Sequence, residues 1–465
     1  MKQHGFLFAG CAVVTFALAL ETSAQTARGP VQPEGVMLAD VAKPPPAQVV
    51  VGRRGMPAFR IAGPANLAAR PKGATLTVNY LAAGEANIYG DVCVGWPADA
   101  QAAFTYAATI WGTYINSDVP IVISASWANL GGGGLLGHAG PRDFTKNFSG
   151  APQTDTWFPL ATANALAGSD LNGSGAEEIA AGFNAQFTDW YYGTDGNCPA
   201  DKIDLVEVVL HEFCHGLGFL GSMSVSGGQG SWGSGTVYPF IYDRYAENGS
   251  GQQLLDTTLF PNGSVALYNQ LVSGSVYFDG ANAVSGNGGA RVALYAPSTW
   301  SSGSSYSHLG EVFNGTANAL MTYSADFGEA VHSPGAVTLG LMKDIGWNTS
   351  SSSTGAPPPV TAGTPIMTDY DGDLLADVGI IRSDGTWHVL LSQRGYGYYE
   401  FNSGASGSQY IPQPGDFDGD RYSDPAVFDS SSGYWYFMSS RNGYGWYYIL
   451  KNWPVSSGTP ACGDF

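Results

Sequence analysis

Charged side chains are scarce in this sequence of 465 residues, because Asp, Glu, Lys and Arg together make up only 12% of it. Basic residues are the scarcer class, with 19 Lys and Arg against 38 Asp and Glu, and the formal net charge is −19. A protein with so little positive charge is poorly suited to binding polyphosphates, so we expect no nucleic-acid partner. The acidic surplus is better suited to holding cations.

Long hydrophobic runs are also lacking, apart from one near the start of the chain. The segment Phe6–Leu20 is apolar, Lys2 precedes it, and the small residues Thr22-Ser23-Ala24 follow it. This pattern is typical of a cleaved secretory signal peptide, and the run is short for a membrane span. We therefore predict a signal peptide at residues 1–24, a secreted, extracellular protein and no membrane span.

Cysteine is rare, with five residues in the whole chain. Export permits disulfides, and outside the signal peptide four cysteines allow three pairings: Cys93, Cys198, Cys214 and Cys462. We favour a bridge between Cys93 and Cys198. Cys214 lies in a predicted helix, where a small buried residue is at least as good an interpretation as a bridge.

Residues 25–72 are rich in Pro, Ala and Val, and they include Pro44-Pro45-Pro46 and the dibasic pair Arg53-Arg54. This composition predicts either a pro-segment or a flexible spacer. No cysteine lies between residues 25 and 92, so a pro-segment here would have no thiolate with which to block a metal ion.

Residues 73–347 have the pattern of a globular unit that contains both helices and strands. Apolar and β-branched runs predict strands at Thr75–Leu81 and Pro120–Trp127, and apolar residues at helical spacing predict helices at Pro97–Tyr114 and Asp204–Leu217. Residues 222–303 are rich in Gly and Ser, and we interpret them as a long insertion within this unit.

A segment rich in Ser, Pro and Gly, residues 348–364, has the composition of a linker. Residues 365–465 beyond it contain an internal repeat, because the aspartate-rich run from Asp369 to Asp377 recurs from Asp416 to Asp424. A third copy begins at Gly463-Asp464-Phe465 and is truncated. Repeats of this kind are typical of stacked or radial β-units that bury their faces against neighbours.

One motif in the second predicted helix carries most of the chemical information, namely His211-Glu212-Phe213-Cys214-His215. Residues four apart lie on one face of a helix, so both imidazoles can bind one metal ion while Glu212 lies beside it as a base. A catalytic zinc site usually has three protein ligands. The motif therefore needs a third ligand from elsewhere in the chain.

The motif continues to Gly218 as HExxHxxG, and in this form it resembles the metzincin zinc endopeptidases. The simple metzincin motif places the third ligand three residues after the glycine, but that position here is Gly221, which has no side chain. The segment Tyr306–Glu311, followed by Asn318–Tyr323, resembles the leishmanolysin branch, in which a large insertion separates the glycine from the third histidine.

That resemblance implies a specific set of zinc ligands and a Met-turn. Carried over to this chain, the third ligand is His308, joining His211 and His215, and the turn methionine is Met321. The alternatives for the third ligand are His332, Glu311 and Asp243. Tyr323 is similar to a tyrosine that other metzincin branches place near the metal to stabilise the oxyanion, although an ordinary aromatic core residue is an equal interpretation.

The expected function is hydrolysis of peptide bonds by a secreted zinc endopeptidase that acts on proteins or peptides. Three neutral imidazoles leave zinc its full charge and an open position, which lowers the pKa of its bound water toward roughly 7. Glu212 then takes a proton as hydroxide attacks the peptide carbonyl, and it delivers that proton to the leaving amine.

The aspartate-rich repeats predict a second cation. Carboxylate oxygens suit Ca²⁺, and the missing Gly and Glu at positions 6 and 12 exclude an EF-hand. The pattern resembles the calcium loops of FG-GAP/VCBS repeats, which implies a partial β-propeller-like module; acidic turns that bind nothing are the alternative. The implied calcium ligands are Asp369, Asp371, Asp373 and Asp377 in the first repeat and Asp416, Asp418, Asp420 and Asp424 in the second.

The predicted fold class is therefore α+β, with a metzincin-like domain of a mixed sheet and an active-site helix, followed by an all-β repeat module. The alternative function is a secreted adhesion or glycan-binding protein whose metzincin-like domain is inactive. Aromatic residues of the repeats, such as Tyr396 and Trp446, suit stacking on sugars. Glu212 favours the enzyme, because a purely structural zinc site has no need of that carboxylate.

Overall fold

The molecule is a mixed α/β protein, seen here in a computed structural model. Within the described part of the chain, no helix is long and apolar enough to cross a membrane. The predicted signal peptide, residues 350–362 of the predicted linker and the start of the third repeat lie outside the described residues. The structure describes residues 36–37, 47–54, 59–64, 67, 73–132, 134–349, 363–370, 375–391, 397–402, 405, 407–439 and 445–449.

The elements alternate between short helices and strands along the chain. The α-helices are α1 (Ala100–Tyr114), α2 (Leu160–Ala167), α3 (Leu205–Gly216), α4 (Val265–Leu271), α5 (Ala281–Gly286) and α6 (Gly335–Asp344), and 3-10 turns lie at Tyr242–Tyr245, Glu311–Phe313 and Ala319–Met321. The strands are β1 (Val36–Met37), β2 (Ala47–Val51), β3 (Arg60–Ile61), β4 (Leu76–Tyr80), β5 (Ile115–Asn116), β6 (Ile121–Ala128), β7 (Leu135–Pro141), β8 (Phe144–Lys146), β9 (Phe158–Pro159), β10 (Ile179–Asn184), β11 (Trp190–Tyr191), β12 (Ile203–Asp204), β13 (Ser224–Ser226), β14 (Gln229–Ser231), β15 (Ala246–Asn248), β16 (Val276–Phe278), β17 (Val292–Ala293), β18 (Ser324–Ala325), β19 (Ala330–Val331), β20 (Asn348–Thr349), β21 (Thr364–Thr368), β22 (Asp377–Ile381), β23 (Thr386–Leu391), β24 (Gly397–Asn402), β25 (Tyr410–Pro412), β26 (Ala426–Asp429), β27 (Tyr434–Ser439) and β28 (Gly445–Ile449).

A six-stranded mixed sheet, in the order β18-β2-β7-β10-β6-β4, lies in the larger unit, the part of the chain that precedes the predicted linker at residues 348–364. Strands β4, β6 and β10 run parallel, and Ile123 of β6 lies between Val78 of β4 and Ile179 of β10. Strand β7 turns back antiparallel to β10, and β2 pairs antiparallel with β7. The β-branched sequence of β6 suits a strand that is buried on both faces.

Helices α1 and α3 pack against each other and against this sheet. The indole Nε1 of Trp111 in α1 donates a hydrogen bond of 2.9 Å to the carbonyl oxygen of Leu210 in α3. The helical spacing of the apolar residues therefore predicted the buried face of α1 correctly, and Phe104 and Trp111 on that face are fully buried. The helix begins at Ala100 rather than Pro97, because Pro97 accepts the first turn-closing bond from the Ala100 amide.

The N-terminal region departs from the prediction of a flexible spacer. Its segment Ala47–Val51 forms β2 inside the six-stranded sheet, and Arg60–Ile61 pairs with Ala330–Val331. A spacer is therefore wrong for these residues. The composition concealed the strand, because the β-branched run of residues 49–51 is short and is flanked by the prolines and arginines that suggested an unstructured segment.

The long insertion at residues 222–303 is regular in structure. Strands β15, β16 and β17 form an antiparallel sheet. Helix α5 begins above the carboxylate of Asp344, which accepts hydrogen bonds from the amides of Asn282 and Ala283 at 3.0 and 2.9 Å. Leu267 and Phe278 are fully buried in the same core as α1 and α3. The insertion is thus part of the globular unit.

Each repeat forms a four-stranded antiparallel sheet, β21-β22-β23-β24 in the first copy and β25-β26-β27-β28 in the second. The matching tryptophans occupy matching places, because Trp387 pairs with Ile381 in the first sheet and Trp435 pairs with Phe428 in the second. The prediction of an all-β repeat module is confirmed for the described residues. Its arrangement as part of a propeller stays a prediction.

The predicted Cys93–Cys198 disulfide is wrong in this structure, where both residues are buried free thiols. Each sulfur is held locally, since Cys93 Sγ donates to the Leu81 carbonyl at 3.2 Å and Cys198 Sγ donates to the Lys202 carbonyl at 3.4 Å. Cys214 is also buried and free, and its sulfur lies 3.9 Å from Met342 Sδ. It is the small buried residue that the alternative interpretation predicted.

Candidate metal centre

Helix α3 presents the HExxH motif and begins and ends at defined caps. Asp204 caps its N-terminus by accepting a hydrogen bond of 2.9 Å from the Glu207 amide, as expected for an aspartate at this position. Every residue of α3 is buried. Since His211 and His215 are one turn apart, both imidazoles leave the helix on the same face.

Gly218 turns the chain away from the end of α3. Its φ is +117°, in the region that favours glycine, and a Cβ there would lie 3.1 Å from Ile345 Cδ1 and from Pro159 Cγ. The Trp347 indole and the Thr162 hydroxyl both donate to the carbonyl of Leu217, at 2.8 and 3.1 Å. Two side chains thus stabilise the backbone where the chain leaves the helix.

Gly221 cannot supply a ligand, and the structure shows what fills the space beside it. A Cβ on Gly221 would lie 2.0 Å from Cε1 of Tyr306, a fully buried residue with φ +73°. The Tyr306 hydroxyl donates to Asp243, and its carbonyl accepts from the Tyr242 hydroxyl at 3.0 Å. The insertion therefore anchors Tyr306, two residues before His308.

His308 meets the two helix histidines, as the resemblance predicted. The Nε2 atom of His211 lies 2.9 Å from that of His215 and 3.1 Å from that of His308, and the His215–His308 distance is 3.2 Å. All three side chains are buried, at 1% exposure or less. Three nitrogen atoms this close together can hold a metal ion.

The opposite ring nitrogens fix the orientation of each imidazole. The Nδ1 atoms of His211, His215 and His308 bind the backbone carbonyls of Leu320, Phe219 and Ser304, at 2.6 to 2.7 Å. Because a carbonyl oxygen only accepts, each Nδ1 carries the proton and each Nε2 directs a lone pair inward. Burial lowers the pKa of His211 to about 4, and the pKa values of His215 and His308 are also well below the usual range.

These observations fit a metal ion bound by three neutral imidazoles. Three inward lone pairs around a point about 2 Å from each repel one another unless a cation lies between them. Nδ1–H bonds to backbone carbonyls are the usual outer contacts of metal-binding histidines. The triad can therefore hold a metal ion, and imidazole ligands suit zinc among others.

Glu212 lies next to His211 in sequence and is fully buried. Among the described residues, no hydrogen bond of normal geometry reaches either carboxylate oxygen. Burial raises the pKa of Glu212 well above its ordinary value, and the nearby Val49 amide opposes that rise. Gly137 of β7, the pairing partner of Val49, is also close, because a Cβ there would lie 3.2 Å from Glu212 Oε1.

The predicted Met-turn residue lies close to the triad. Met321 ends the 3-10 turn Ala319–Met321 and is fully buried, and its carbonyl accepts from the Leu309 amide at 2.8 Å. The preceding Leu320 carbonyl binds His211. The turn thus connects directly to two of the three ligand-bearing segments.

The alternative third ligands are engaged elsewhere. His332 binds Asp204 at 3.0 Å, Asp243 accepts from the amides of Ser222 and Phe240, and Glu311 accepts from the Tyr323 hydroxyl at 3.3 Å. Tyr323 stacks on Tyr295 with 4.2 Å between ring centroids. Burial, together with Tyr295 and Glu311, raises the pKa of Tyr323 to about 12. Its role with the oxyanion stays a prediction.

The aspartate loop of the second repeat divides into two kinds of residue. The carboxylates of Asp416, Asp418 and Asp420 lie within 4.8 Å of one another and can hold a cation. Asp424 is fully buried and accepts from the Phe417 amide at 2.8 Å, just as Asp377 accepts from the Tyr370 amide at 2.7 Å. The ninth position therefore anchors the loop in both copies. Asp371 and Asp373 lie outside the described residues.

Sequence reasoning missed one segment at this site, the strand β2 with Val49 beside Glu212. The signal was present in the β-branched run Val49-Val50-Val51, which favours a strand. Because residues 25–72 were expected to be a pro-segment or a spacer, that run was not predicted to form a strand of the sheet.

Comparison with known proteins yields one partial match. A family model described as SPBPB7E8-like matches residues 174–247, a stretch that includes α3 and two histidines of the triad. That description names no activity. No curated protein and no solved structure was found to match the chain.

Proposed function

We propose that this protein is a secreted zinc endopeptidase that hydrolyses peptide bonds in proteins or peptides, with a metzincin-like domain of the leishmanolysin arrangement. The observation that supports the proposal most is the meeting of three imidazole Nε2 atoms within 3.2 Å of one another, with Glu212 adjacent to the first of them in sequence. A metal site with a structural role alone has no need of a buried carboxylate at that position.

His211, His215 and His308 would hold the zinc ion. Zinc bound there supplies a Lewis acid for the carbonyl oxygen of the peptide and lowers the pKa of a water molecule. The Nδ1 bonds to Leu320, Phe219 and Ser304 keep the three rings in the orientation that binding requires. The three imidazole rings therefore need no reorientation during turnover.

Glu212 is the proposed general base. A zinc cation bound beside Glu212 would favour the ionised form of its carboxyl group. The carboxylate, which accepts no well-formed hydrogen bond from a described residue, could then take the proton of the attacking water. It then returns that proton to the nitrogen of the leaving amine. One residue therefore serves both proton transfers of the hydrolysis.

The repeats supply a second part of the proposal, a calcium-binding module that contacts extracellular glycans or surfaces. The three clustered aspartates Asp416, Asp418 and Asp420 support the calcium site. If the larger domain lacks activity, these repeats become the functional part, and the protein is an adhesion or glycan-binding protein.

The substitution Glu212→Gln tests the enzymatic proposal. It removes the base but keeps the shape of the side chain, so we expect zinc content to stay near that of the unaltered protein while casein cleavage falls about 10²- to 10⁴-fold. Both proteins are assayed as isolated and after mild trypsin treatment followed by trypsin inhibitor, since a pro-segment is one prediction for residues 25–72.

Glu177→Gln serves as the control, because that glutamate is part-exposed, lies 3.8 Å from Arg142 and belongs to no proposed metal or catalytic group. It should retain more than a tenth of the activity. Comparable cleavage by the Glu212→Gln protein would contradict the assigned role. Zinc binding without any cleavage by the unaltered protein would favour the adhesion alternative.

A further inference from the structure

The N-terminal strand β2 packs against helix α3 beside Glu212, the proposed base. Its middle residue Val49 is opposite Gly137 of β7, and both residues adjoin Glu212. With the strand in place, Glu212 and the triad histidines have at most 1% exposure. A base and a metal site that act on a polypeptide must be reached by that polypeptide, and groups buried to this extent cannot be reached.

Strand β2 lies between β7 and β18, two strands that do not pair with each other in the described part of the chain. On one side it pairs antiparallel with β7, from Ala47 opposite Ala139 to Val50 opposite Leu135. On the other side it pairs parallel with β18, which begins three residues after Met321. In the described part of the chain, the strands β7-β10-β6-β4 stay continuous without β2, whereas β18 pairs with the sheet through β2 alone.

The contacts on the β18 side are backbone bonds that any extended peptide is able to make. The Gln48 amide donates to the Gly303 carbonyl at 2.9 Å, and the Val50 amide donates to the Tyr323 carbonyl at 3.1 Å. Gly303 precedes Ser304, whose carbonyl orients His308. A peptide that adds a strand to an exposed edge in this way gains affinity from its main chain, and it gains specificity from alternate side chains.

The alternate side chains of β2 enter apolar surroundings. Ala47 packs in a small buried cluster with Phe144, Trp157, Leu220 and Phe240, and Val49 joins the main core. Gln48 and Val50, between and beyond them, are only half-buried. The gap thus accepts an extended peptide with small apolar residues two positions apart.

We propose that residues 47–51 are an autoinhibitory strand that fills the peptide-binding cleft between β7 and β18, and that a substrate takes their place. This inference rests on the proposed peptidase function for its biological meaning. The occupant is a pro-segment of the kind that one reading of residues 25–72 predicted, and it blocks the site with its backbone rather than with a thiolate.

The position of the dibasic pair is consistent with removal of the strand. Arg53 and Arg54 follow β2 after one residue, Gly52, and their side chains are 60% and 62% exposed even though they pair with Asp326 and Asp189. Hydrolysis of the chain there by a trypsin-like protease would separate β2 from the rest of the protein, leaving only non-covalent contacts to hold it.

The test uses the full chain, loaded with zinc, in three forms. The double variant Gln48→Pro/Val50→Pro removes two of the three amide donors on the β18 side and leaves the third, the Gly52 amide that donates to Ala325. Gln48→Ala/Val50→Ala keeps all three as the matched control. The readouts are the rate of zinc transfer to a chromogenic chelator, the anisotropy of a fluorescent peptide with the sequence of residues 45–52, and cleavage of casein.

We expect the proline variant to transfer zinc at least tenfold faster than the unaltered chain, to bind the peptide and to cleave casein at least tenfold faster. The alanine control should resemble the unaltered chain. A peptide with Asp in place of the residues matching Ala47 and Val49 should bind at least tenfold more weakly. Equal chelator rates and equal peptide binding in all three forms would overturn the proposal.

Two further outcomes keep the inference separate from the proposed function. If the proline variant binds the peptide but cleaves nothing, the strand proposal stands and the peptidase proposal fails. If the proline variant does not fold, trypsin cleavage of the unaltered chain at Arg53-Arg54 replaces it, with Arg53→Gln/Arg54→Gln as the resistant control. Absence of peptide binding after that cleavage would also overturn the proposal.

Discussion

At the scale of single residues, the site depends on which histidines have a ring nitrogen available for a metal ion. Two histidines outside the helix motif were candidates for the third ligand. His332 binds Asp204, whereas the Nδ1 atom of His308 binds a backbone carbonyl, which leaves its Nε2 available. The sequence offered both as third ligands. Only the fold of the insertion, through Tyr306 beside Gly221, brings His308 to the helix.

A second group of buried ionisable residues surrounds the N-terminal end of α3. Glu207 and Glu329 both have raised pKa values, that of Glu329 reaching about 8, because burial and the neighbouring carboxylates disfavour the charged form. Glu329 is therefore neutral in the fold at pH values where it is charged in the unfolded chain.

This difference predicts a loss of stability as the pH rises. The contribution is fully present below the unfolded pKa of 4.5 and is lost as the pH increases through about 8. Glu329→Gln cannot ionise, yet its amide oxygen still accepts from the Asp326 amide, as Glu329 does at 2.9 Å. Its melting temperature should exceed that of the unaltered protein at pH 8 and approach it at pH 5. A difference that is the same at both pH values would contradict the assignment.

At the scale of elements, local patterns predicted the individual helices and strands well. The strand predicted at Thr75–Leu81 is observed at Leu76–Tyr80, and the helix predicted at Asp204–Leu217 is observed at Leu205–Gly216. These segments have strong periodicity and clear caps. What could not be predicted is pairing between distant segments, such as β2 with β7 and β18, because nothing in a short strand specifies its partner.

The end of α3 gives a test of how one glycine positions an element. Gly218→Ala places a side chain at φ +117° against Ile345 and Pro159, so we expect a loss of stability of about 1–3 kcal/mol, with weaker zinc binding through His215. Gly173→Ala is the matched control, because its φ is +99° but its added Cβ meets nothing within 4 Å. Denaturant unfolding of both variants measures the difference. Equal losses would show that packing at Gly218 is unimportant.

At the scale of the whole molecule, the acidic surplus of the composition includes the aspartate-rich loops of the repeats, which suit a cation. Calcium that binds only the folded loops stabilises them by mass action, by about 2.7 kcal/mol at a hundredfold excess over Kd. The full chain should therefore show a melting transition that rises in Ca²⁺ and falls in chelator. Asp416→Ala/Asp418→Ala should abolish most of the shift, and Asp384→Ala, in the same module but outside the loop, should not. A transition insensitive to Ca²⁺ would identify the loops as plain acidic turns.

The proposed peptidase function depends most on whether His211, His215 and His308, which can hold a metal ion, bind zinc. The most direct test is the amount of zinc bound per chain in the unaltered protein and in the His308→Ala and His332→Ala variants, measured alongside chelator-sensitive cleavage of casein after release of the N-terminal strand. We expect about one zinc ion per chain in the unaltered and His332→Ala proteins, and well under half of that, without cleavage, in the His308→Ala protein. Full zinc occupancy in the His308→Ala protein, or loss of zinc in a folded His332→Ala protein instead, would contradict it.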